Sequence, residues 1–506
     1  MQRSEWGVSP PLGREMCWFS IGGLMPPARF LSCSLACAML KIPTNFLHTH
    51  AAATVSFSFV LRYNVRNSDC FTGLLTIDGG YMNQQTQNIS RRRFLVAGTL
   101  AAAAPLVLPS RILGREGAIA PSERIVMGLI GYGNRGREIM GDFVGNRREY
   151  QMVAVCDCDR GRLNDGVARV NRDYGNSDCK AYAKYEELLA REDIDAVAVS
   201  TPDHWHTKMS VEACKAGKDV YCEKPLTLTP AESRQIVAAA RQYNRVCTSG
   251  SQRVLEDYGY MAPIVQSGAI GEVKEAFFEC GGPPIDAYYP EEPIPDGFDW
   301  DRWLGPAPWV PYHPERASGS YGGGWRRFID YGNGFLADWG AHKLAGILYV
   351  LGIDHLEPVE IIPPGTERNP NRYLTLVYSG GINIHHASGR RDGYDHDVTL
   401  VGSEDTFKHG QDRNRIRPLH QVDVRRYNGG TTRLAHDFAF CVRHRLRPFQ
   451  DFLYGAVVAT ACQLAHIGYR MNRPLKWDAE KTAFIDDDQA NRLVSRPKRS
   501  PYEINS

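Results

Sequence analysis

The sequence lacks the features of a disulfide scaffold, a zinc protein or a nucleic-acid-binding protein. It has 13 cysteines but no C-x-x-C pair, so their spacing predicts neither a zinc knuckle nor a disulfide framework. The 59 basic and 57 acidic residues give a formal net charge of only +2. That balance gives no electrostatic reason to expect nucleic acid or an anionic membrane as a partner. Neither a G-x-S-x-G elbow nor a Cys–His nucleophile pattern stands out.

The histidine clusters do not predict a metal centre. His385 and His386 are adjacent, and His396 stands between Asp395 and Asp397. Neighbouring side chains on a strand point to opposite faces of the sheet, and no cysteine partner is evident. We therefore interpret these residues as part of a polar strand and a loop, with no metal ligands.

The first 121 residues differ from the rest of the chain. Residues 1–81 show no sustained hydrophobic period, and their apolar runs are too short to span a bilayer. We interpret them as a non-native or disordered upstream extension of the reading frame. From Met82, a polar leader, a basic cluster and a weakly apolar stretch follow in the order of an export signal.

The core of that segment, Ser90-Arg-Arg-Arg-Phe-Leu95, resembles a twin-arginine signal. An ordinary basic helix cap is the alternative interpretation. We expect residues 82–121 to be the export signal and a linker. The protein is then periplasmic or otherwise exported, with no integral membrane span in its mature form.

An apolar strand over 124–130 runs directly into a glycine-rich loop, Gly131-x-Gly133-x-x-Gly136. Such a loop turns tightly, lets the backbone approach a pyrophosphate and presents a helix N-terminus to its charge. A second strand ends in Asp157, 21 positions beyond Gly136, close to the offset at which an acid meets the ribose of NAD. Because a carboxylate there would repel the extra phosphate of NADP, we expect NAD. A helix N-cap is the structural alternative for Asp157.

Strands and helices alternate as far as residue 250, which predicts an α/β fold with a parallel sheet and helices on both faces. In such sheets ligands bind at the carboxyl ends of the strands. Lys224 follows the apolar strand 219–222 at this edge, and Pro225 restricts the backbone beside it. An amine held there can donate a hydrogen bond to a substrate hydroxyl and favour its alkoxide. A solvated surface lysine is the alternative.

The second half of the chain contains several strand-like runs interrupted by glycine or proline, which predict a meandering sheet. Among them lies an apolar helix over 333–352. Asp338 and His342 are four positions apart on this helix, so they share one face. A His–Asp pair can be a structural hydrogen bond in a core, and the spacing alone does not exclude that.

Four motifs, in this order and spacing, resemble the Gfo/Idh/MocA family (glucose-fructose oxidoreductase, inositol 2-dehydrogenase, rhizopine catabolism). They are GYGNRG at 131–136, TPDHWH at 201–206, EKP at 223–225 and DWGAH at 338–342. The segments 300–312 and 473–497 resemble exported members. The resemblance implies a Rossmann NAD-binding domain over 122–250. It also implies an α+β substrate and oligomerisation domain over 251–506 with a large open, mostly antiparallel sheet, in a homo-oligomer that is a dimer or tetramer.

The resemblance also implies the roles of the site residues. Lys224 stabilises a developing alkoxide, His342 is the general base and Asp338 orients its imidazole. The cofactor-binding residues are Gly131, Gly133, Asn134, Arg135, Gly136, Asp157, Thr201, Pro202, His206 and Glu223. Candidate substrate contacts are Gln252, Arg253, Trp325 and Arg326, since sugars stack on aromatic faces and accept hydrogen bonds from guanidinium groups.

Three functions remain open on the sequence. The first is NAD-dependent oxidation of a secondary alcohol on a sugar or polyol. The second is an NAD-dependent glycosidase that oxidises its substrate transiently, eliminates, adds water and reduces; net formation of NADH separates the two. The third is a non-catalytic dinucleotide-binding protein, which the presence of Lys224, Asp338 and His342 disfavours.

Overall fold

The computed structural model describes residues 58–64, 70–76, 123–321, 323–387, 397–428 and 433–504. The chain divides into two units, residues 1–105 and 106–506. In the first unit, strands β1 (Ser58–Asn64) and β2 (Cys70–Thr76) pair antiparallel, which the sequence analysis did not foresee. Because a single pair of strands is marginally stable at best, the interpretation of residues 1–81 stays a prediction. The expected export signal lies outside the described residues.

The second unit begins with a six-stranded parallel sheet in the order β5-β4-β3-β6-β7-β8. The strands are β3 (Ile125–Ile130), β4 (Tyr150–Cys156), β5 (Lys180–Tyr182), β6 (Ala196–Val199), β7 (Asp219–Cys222) and β8 (Cys247–Ser249). The order reverses between β3 and β6, and such a reversal opens a ligand crevice at the carboxyl ends of the strands. The predicted Rossmann-type sheet is confirmed.

Five helices belong to this sheet: α1 (Asn134–Gly145), α2 (Arg160–Tyr174), α3 (Tyr185–Leu189), α4 (Asp203–Lys215) and α5 (Pro230–Gln242). Side chains fix the starts of two of them. Asp159 accepts hydrogen bonds from the first backbone amides of α2, and Thr229 caps α5 one residue before its proline. Helix α1 starts at Gly133 without a side-chain cap, so its first amides are left for another acceptor.

The second sheet has eight strands in the order β14-β13-β9-β12-β11-β10-β15-β16. They are β9 (Val273–Glu279), β10 (Glu360–Ile362), β11 (Leu374–Tyr378), β12 (Ile382–Ala387), β13 (Val398–Gly402), β14 (Thr406–Lys408), β15 (Leu475–Asp478) and β16 (Ala483–Phe484). The pairing of β9 with β12 is parallel and the other pairings are antiparallel. This confirms the expected mostly antiparallel sheet.

The helices of this half are α6 (Ala262–Gln266), α7 (Trp300–Leu304), α8 (Pro314–Ala317), α9 (Gly334–Leu351), α10 (Leu434–His444), α11 (Phe452–Met471) and α12 (Asp488–Asn491). Helix α11 is long and apolar enough to cross a membrane, but 83% of its most apolar window is buried inside the protein, as in a core helix. One hydrophobic core joins both sheets: Tyr221 of β7 packs edge-on against Phe438 of α10. This shared core holds α9 beside the parallel sheet.

Candidate active site

A cleft opens where β3, β6 and β7 end. Eight of the predicted cofactor residues line it: Gly131, Gly133, Asn134, Arg135, Asp157, Thr201, Pro202 and Glu223. Lys224, Trp325 and Arg326 line the same cleft. The loops after β3, β4, β6 and β7 therefore bring the predicted catalytic lysine and the predicted nucleotide-binding residues to one place.

The glycine-rich loop has the shape of a dinucleotide cradle. Gly131 has a φ of +92°, which L side chains rarely adopt. A Cβ at Gly136 would lie 2.1 Å from the carbonyl oxygen of Gly131, so the fold itself requires that glycine. A Cβ at Gly133 would meet only the tip of Arg162, at 3.8 Å. The protein does not fill the space beside Gly133, which is where a pyrophosphate would approach the uncapped start of α1.

Thr201 offers the cleft a polar group, and Arg135 braces its wall. The hydroxyl of Thr201 is buried and has no hydrogen-bond partner among the described residues, and such groups usually have one. The Nε of Arg135 donates to Glu223 at 2.9 Å, and its Nη1 donates to Glu138 at 2.7 Å. This pairing neutralises the arginine at the helix start and holds it against the loop after β7.

Asp157 lines the cleft but also supports the loop. Its two carboxylate oxygens accept hydrogen bonds from the backbone amides of Tyr132 at 2.7 Å and Asp159 at 2.9 Å. Burial raises the pKa of Asp157 against the effect of these two bonds. The helix N-cap that we considered for Asp157 is Asp159 instead. Asp157 therefore fixes the glycine-rich loop to the end of β4, in addition to any contact with a ribose.

Lys224 and Asp338 form the ion pair at the centre of the site. The Nζ of Lys224 donates to Oδ1 of Asp338 at 2.7 Å and to its backbone carbonyl at 3.1 Å. The Nε of Arg326 lies 3.4 Å from the same Oδ1. Burial acts to raise the pKa of Asp338, but Lys224 and Arg326 outweigh it and hold that pKa below its usual value. Since an ammonium has three donors, one remains for a substrate oxygen.

The expectation that Asp338 orients His342 is wrong in this geometry. Nδ1 of His342 meets the hydroxyl of Ser251 at 3.0 Å, and that hydroxyl donates to the carbonyl of Ala341 at 2.7 Å. The spacing of four residues does place Asp338 and His342 on one helical face, but the carboxylate is engaged by Lys224. Burial, and then the charge of Lys224, hold the pKa of His342 well below its usual value, so the imidazole is neutral.

Three other predicted residues lie apart from the cleft. His206 is buried and its ring nitrogens meet the carbonyl oxygens of Thr201 and Pro225 at 2.9 and 2.8 Å; it ties together the loops after β6 and β7. Gln252 lines a neighbouring cavity that shares Arg135 with the cleft. Arg253 pairs with Asp257 at 2.8 Å. None of the three lines the cleft, and their predicted contacts with cofactor or substrate stay predictions.

The predicted substrate contacts Trp325 and Arg326 stack on each other. The guanidinium carbon of Arg326 lies 4.4 Å from the ring centroid of Trp325, and Trp325 is only 9% exposed. A more accessible aromatic surface belongs to Trp339, which is 39% exposed. Its ring centroid lies 6.0 Å from that of His342, and Arg253 contacts its ring. Trp339 was not among the predicted substrate contacts, although it stands inside the DWGAH motif.

Asp203 is another residue that the sequence analysis did not single out. It begins α4 and is 3% exposed. Burial, and then the nearby charge of Asp338, raise its pKa to about 8. A carboxyl group in this state is protonated at neutral pH, so it adds no second negative charge next to the ion pair of Lys224 and Asp338.

The two adjacent histidines of β12 have separate partners. His385 meets Thr375 and Glu275, whereas Nδ1 of the fully buried His386 meets the hydroxyl of Tyr469 at 2.7 Å. Within the described parts of the chain, no group of three or more His, Cys, Asp or Glu side chains could hold a metal ion. His396 and Asp395 lie outside the described residues.

Both domains match models of one enzyme family. A model described as "Oxidoreductase family, NAD-binding Rossmann fold" matches residues 125–251. A model described as "Oxidoreductase family, C-terminal alpha/beta domain" matches residues 285–504. Together they span more than half of the chain. The chain belongs to the Gfo/Idh/MocA oxidoreductase family. Its first domain is an NAD-binding domain, so the predicted cofactor, NAD, is confirmed.

Curated relatives and solved structures share parts of this architecture. A "Glycosyl hydrolase family 109 protein" of Shewanella sp. strain W3-18-1 is 31% identical over 210 residues, which are 37% of this chain and 44% of the relative. The match thus spans less than half of that protein. The WlbA dehydrogenases of Bordetella pertussis and Chromobactrium violaceum, both solved with NADH and UDP-GlcNAcA, superpose with TM-scores of 0.51 and 0.52 at 15% identity. The superpositions cover 70% and 71% of this chain and 99% and 98% of theirs. They show the common fold.

Proposed function

We propose that the protein oxidises a secondary hydroxyl of a sugar or polyol, with NAD as the hydride acceptor. The observation that carries the proposal is the pairing of Lys224, which lines the NAD cleft, with Asp338. The charge of Lys224 also helps to lower the pKa of the nearby buried His342. A cation and a neutral base from different elements of the fold are what deprotonation of an alcohol requires. The exposed ring of Trp339 beside His342 offers a surface on which a sugar can stack.

The residues divide the reaction between them. His342 accepts the hydroxyl proton on Nε2, and the third N–H of Lys224 stabilises the developing alkoxide. Asp338 holds the amine of Lys224 in place, and Arg326 approaches the same carboxylate oxygen. NAD bound in the cleft would supply the acceptor for the hydride, and oxidation of the alcohol to a ketone would leave its hydroxyl proton on His342. General base catalysis supplies roughly 10²–10⁴-fold, and positioning in the cleft supplies much of the rest.

A panel of sugars and polyols tests this proposal. The purified protein, incubated with NAD and each compound, should form NADH with at least one of them, and the Lys224→Met variant should not. If NAD binds but neither NADH nor a changed sugar is found, the protein is a non-catalytic dinucleotide-binding protein and the proposal fails.

A second function is favoured by the curated relatives, which are called glycosyl hydrolase family 109 proteins. In this alternative the same residues act on a glycoside, and NAD would supply a transient oxidation that is reversed within one turnover. The ketone makes the neighbouring C–H acidic, so a base removes that proton as the aglycone leaves, and water then adds. An aryl glycoside separates the two functions. Release of the phenol without accumulation of NADH supports the glycosidase, and NADH without phenol supports the dehydrogenase.

We also propose export through the twin-arginine pathway, on the basis of the segment Ser90-Arg-Arg-Arg-Phe-Leu95. Export of a folded protein would carry bound NAD with it. Replacing Arg91 and Arg92 by lysine should leave the protein in the cytoplasm, whereas a chain that starts at Met82 should be exported like the full chain. Normal export of the double variant would contradict the signal assignment.

A further inference from the structure

His204 and Asn333 line a second cavity, of about 390 Å³. It is bounded by α11, by the segment that follows α12 and by the loop 306–308, and it shares no lining residue with the NAD cleft. Its volume falls in the range of roughly 300–1,000 Å³ that small-molecule sites occupy. It is therefore large enough to take a ligand of its own.

Three guanidinium groups meet in this cavity. Arg470 comes from the last turn of α11, and Arg492 and Arg496 come from the segment after α12. In the described part of the chain, none of the three has a carboxylate within 4.0 Å, although Asp286 and Asp330 line the same cavity. The fourth cation, Lys498, is already paired with Glu232. The cavity thus offers planar donors that suit a carboxylate or a phosphate.

Arg496 is the best placed of the three. It is partly buried, and among the described residues its Nη groups donate to two neutral oxygens, the carbonyl of Ile329 and Oδ1 of Asn333. Burial lowers the pKa of Arg496 although the charges of Glu232 and Asp330 act to raise it, so these carboxylates only partly offset the desolvation of the guanidinium. An anion in the cavity would offset the remainder.

Neutral groups beside the arginines can bind hydroxyls. The amide of Asn333 donates to the carbonyl of Leu228 at 2.9 Å, so its Oδ1 is the acceptor for Nδ1 of His466 at 3.2 Å. The lone pair of His466 then lies on Nε2. Burial, and then the charges of Arg496 and Arg470, lower the pKa of His466 to about 3, so this nitrogen stays an acceptor. Gln463, on the same helix, has a buried Oε1 without a partner among the described residues.

We propose that this cavity is a second ligand site, for a sugar-sized molecule that carries a carboxylate or a phosphate. The anion binds between Arg470, Arg492 and Arg496, and a hydroxyl donates to Nε2 of His466. Pro306, Pro308 and Ile467 form an apolar wall that covers the body of the ligand. The site is independent of the proposed function because none of its residues lines the NAD cleft.

Isothermal titration of the NAD-loaded protein tests the site with four probes: glucuronate, glucose 6-phosphate, inorganic phosphate and glucose. We expect at least one of the two anionic sugars to bind ten-fold or more tightly than glucose. Comparison of glucuronate with glucose 6-phosphate identifies whether the anion is a carboxylate or a phosphate, and inorganic phosphate measures the anion without the sugar. The Arg492→Gln and Arg496→Gln variants should each weaken binding ten-fold or more. Arg241→Gln, which removes an exposed arginine at the end of α5, should have no effect.

Binding in the NAD cleft is distinguished by the Lys224→Met variant, which should keep its affinity for the anionic sugar. If Lys224→Met loses the binding and Arg492→Gln keeps it, the ligand is in the cleft and the second site is disproved. The same holds if no anionic probe binds at roughly 10 mM, a concentration at which even weak sites fill, or if glucose binds equally well. Arg492 is exposed, so its variant decides the matter even where Arg496→Gln does not fold.

Discussion

Ser251 holds His342 in one tautomer. The hydroxyl oxygen of Ser251 lies 3.0 Å from Nδ1 of His342, and the same hydroxyl donates to the carbonyl of Ala341 at 2.7 Å. Because a hydroxyl has a single proton, the bond to the imidazole must be donated by Nδ1. The lone pair is then on Nε2, where a general base needs it. Ser251 is a positioning residue for the base.

The Ser251→Ala variant should turn over about 10-fold more slowly, which is the size of one hydrogen bond expressed in the transition state. The acidic limb of its profile of kcat/KM against pH should also move to lower pH, because the imidazolium loses an acceptor for its Nδ1 proton. A purely structural serine would not move that limb. Ser249→Ala, which removes another buried serine, is the control and should keep the wild-type profile.

Alanine in place of Gly133 should weaken cofactor binding, whereas alanine in place of Gly136 should lower the stability of the fold. Gly133→Ala should weaken NAD binding by about 10-fold or more, because its methyl group enters the space for the pyrophosphate, while the NAD-free protein unfolds at an unchanged temperature. Gly136→Ala should destabilise the NAD-free protein, since its Cβ would lie 2.1 Å from the Gly131 carbonyl oxygen. Calorimetry with and without NAD measures both effects. Equal NAD affinity in Gly133→Ala and wild type would show that the pyrophosphate does not bind beside Gly133.

Asp157→Asn should both weaken NAD binding and destabilise the protein. The amide removes a charge that repels the extra phosphate of NADP, so the ratio of NAD affinity to NADP affinity should decrease. The side-chain amide also points its own N–H group at one of the two backbone N–H groups that donate to the carboxylate in the wild type. This clash of donors should lower the free energy of unfolding by about 1–3 kcal/mol. Fluorescence titration with NAD and NADP and urea unfolding measure the two effects. Asp165→Asn, an exposed acid on α2, should change neither.

Buried neutral histidines should make the fold sensitive to acid. Burial lowers the pKa of His386 to about 4, below its value of about 6.5 in an unfolded chain. The unfolded state therefore takes up the proton first, and the stability that His386 contributes is complete above pH 6.5 and lost as the pH falls toward 4. From pH 7 to pH 5 the loss at this residue is about 2 kcal/mol.

The His386→Gln variant should lose about 2 kcal/mol less than wild type over that interval, as measured by urea unfolding at both pH values. His355→Gln, which changes an exposed histidine, should retain the wild-type dependence. A His386→Gln variant with the wild-type dependence would mean that His386 is not held in its neutral form.

The sequence allowed prediction of those parts of the site that lie close together along the chain or follow from the order of strands. The glycine-rich loop, the acid after β4 and Lys224 after β7 are local consequences of a parallel sheet, and the structure brings them to one cleft. The helical spacing of Asp338 and His342 correctly predicts a shared face. It could not reveal the partners of each side chain, because Lys224 and Ser251 reach these residues from positions 114 and 91 residues away.

The arginine cavity could not be found in the sequence for the same reason. No motif or spacing connects Arg470 with Arg492 and Arg496, and the packing of α11 against the last segment brings them together. Trp339 is different, because it stands in a motif that the sequence analysis quoted. Its exposure beside His342 depends on tertiary packing, which the spacing of residues along the chain does not predict.

The central claim is that Lys224 and His342 act on one substrate hydroxyl, and single-turnover hydride transfer to bound NAD tests it most directly. With a sugar that the panel identifies, Lys224→Met and His342→Ala should each slow transfer by roughly 10²-fold or more, with NAD affinity nearly unchanged. The double variant should be little slower than the worse single variant, because residues that serve one proton transfer act as a unit. Near-normal transfer by Lys224→Met, or fully additive effects in the double variant, would contradict the account.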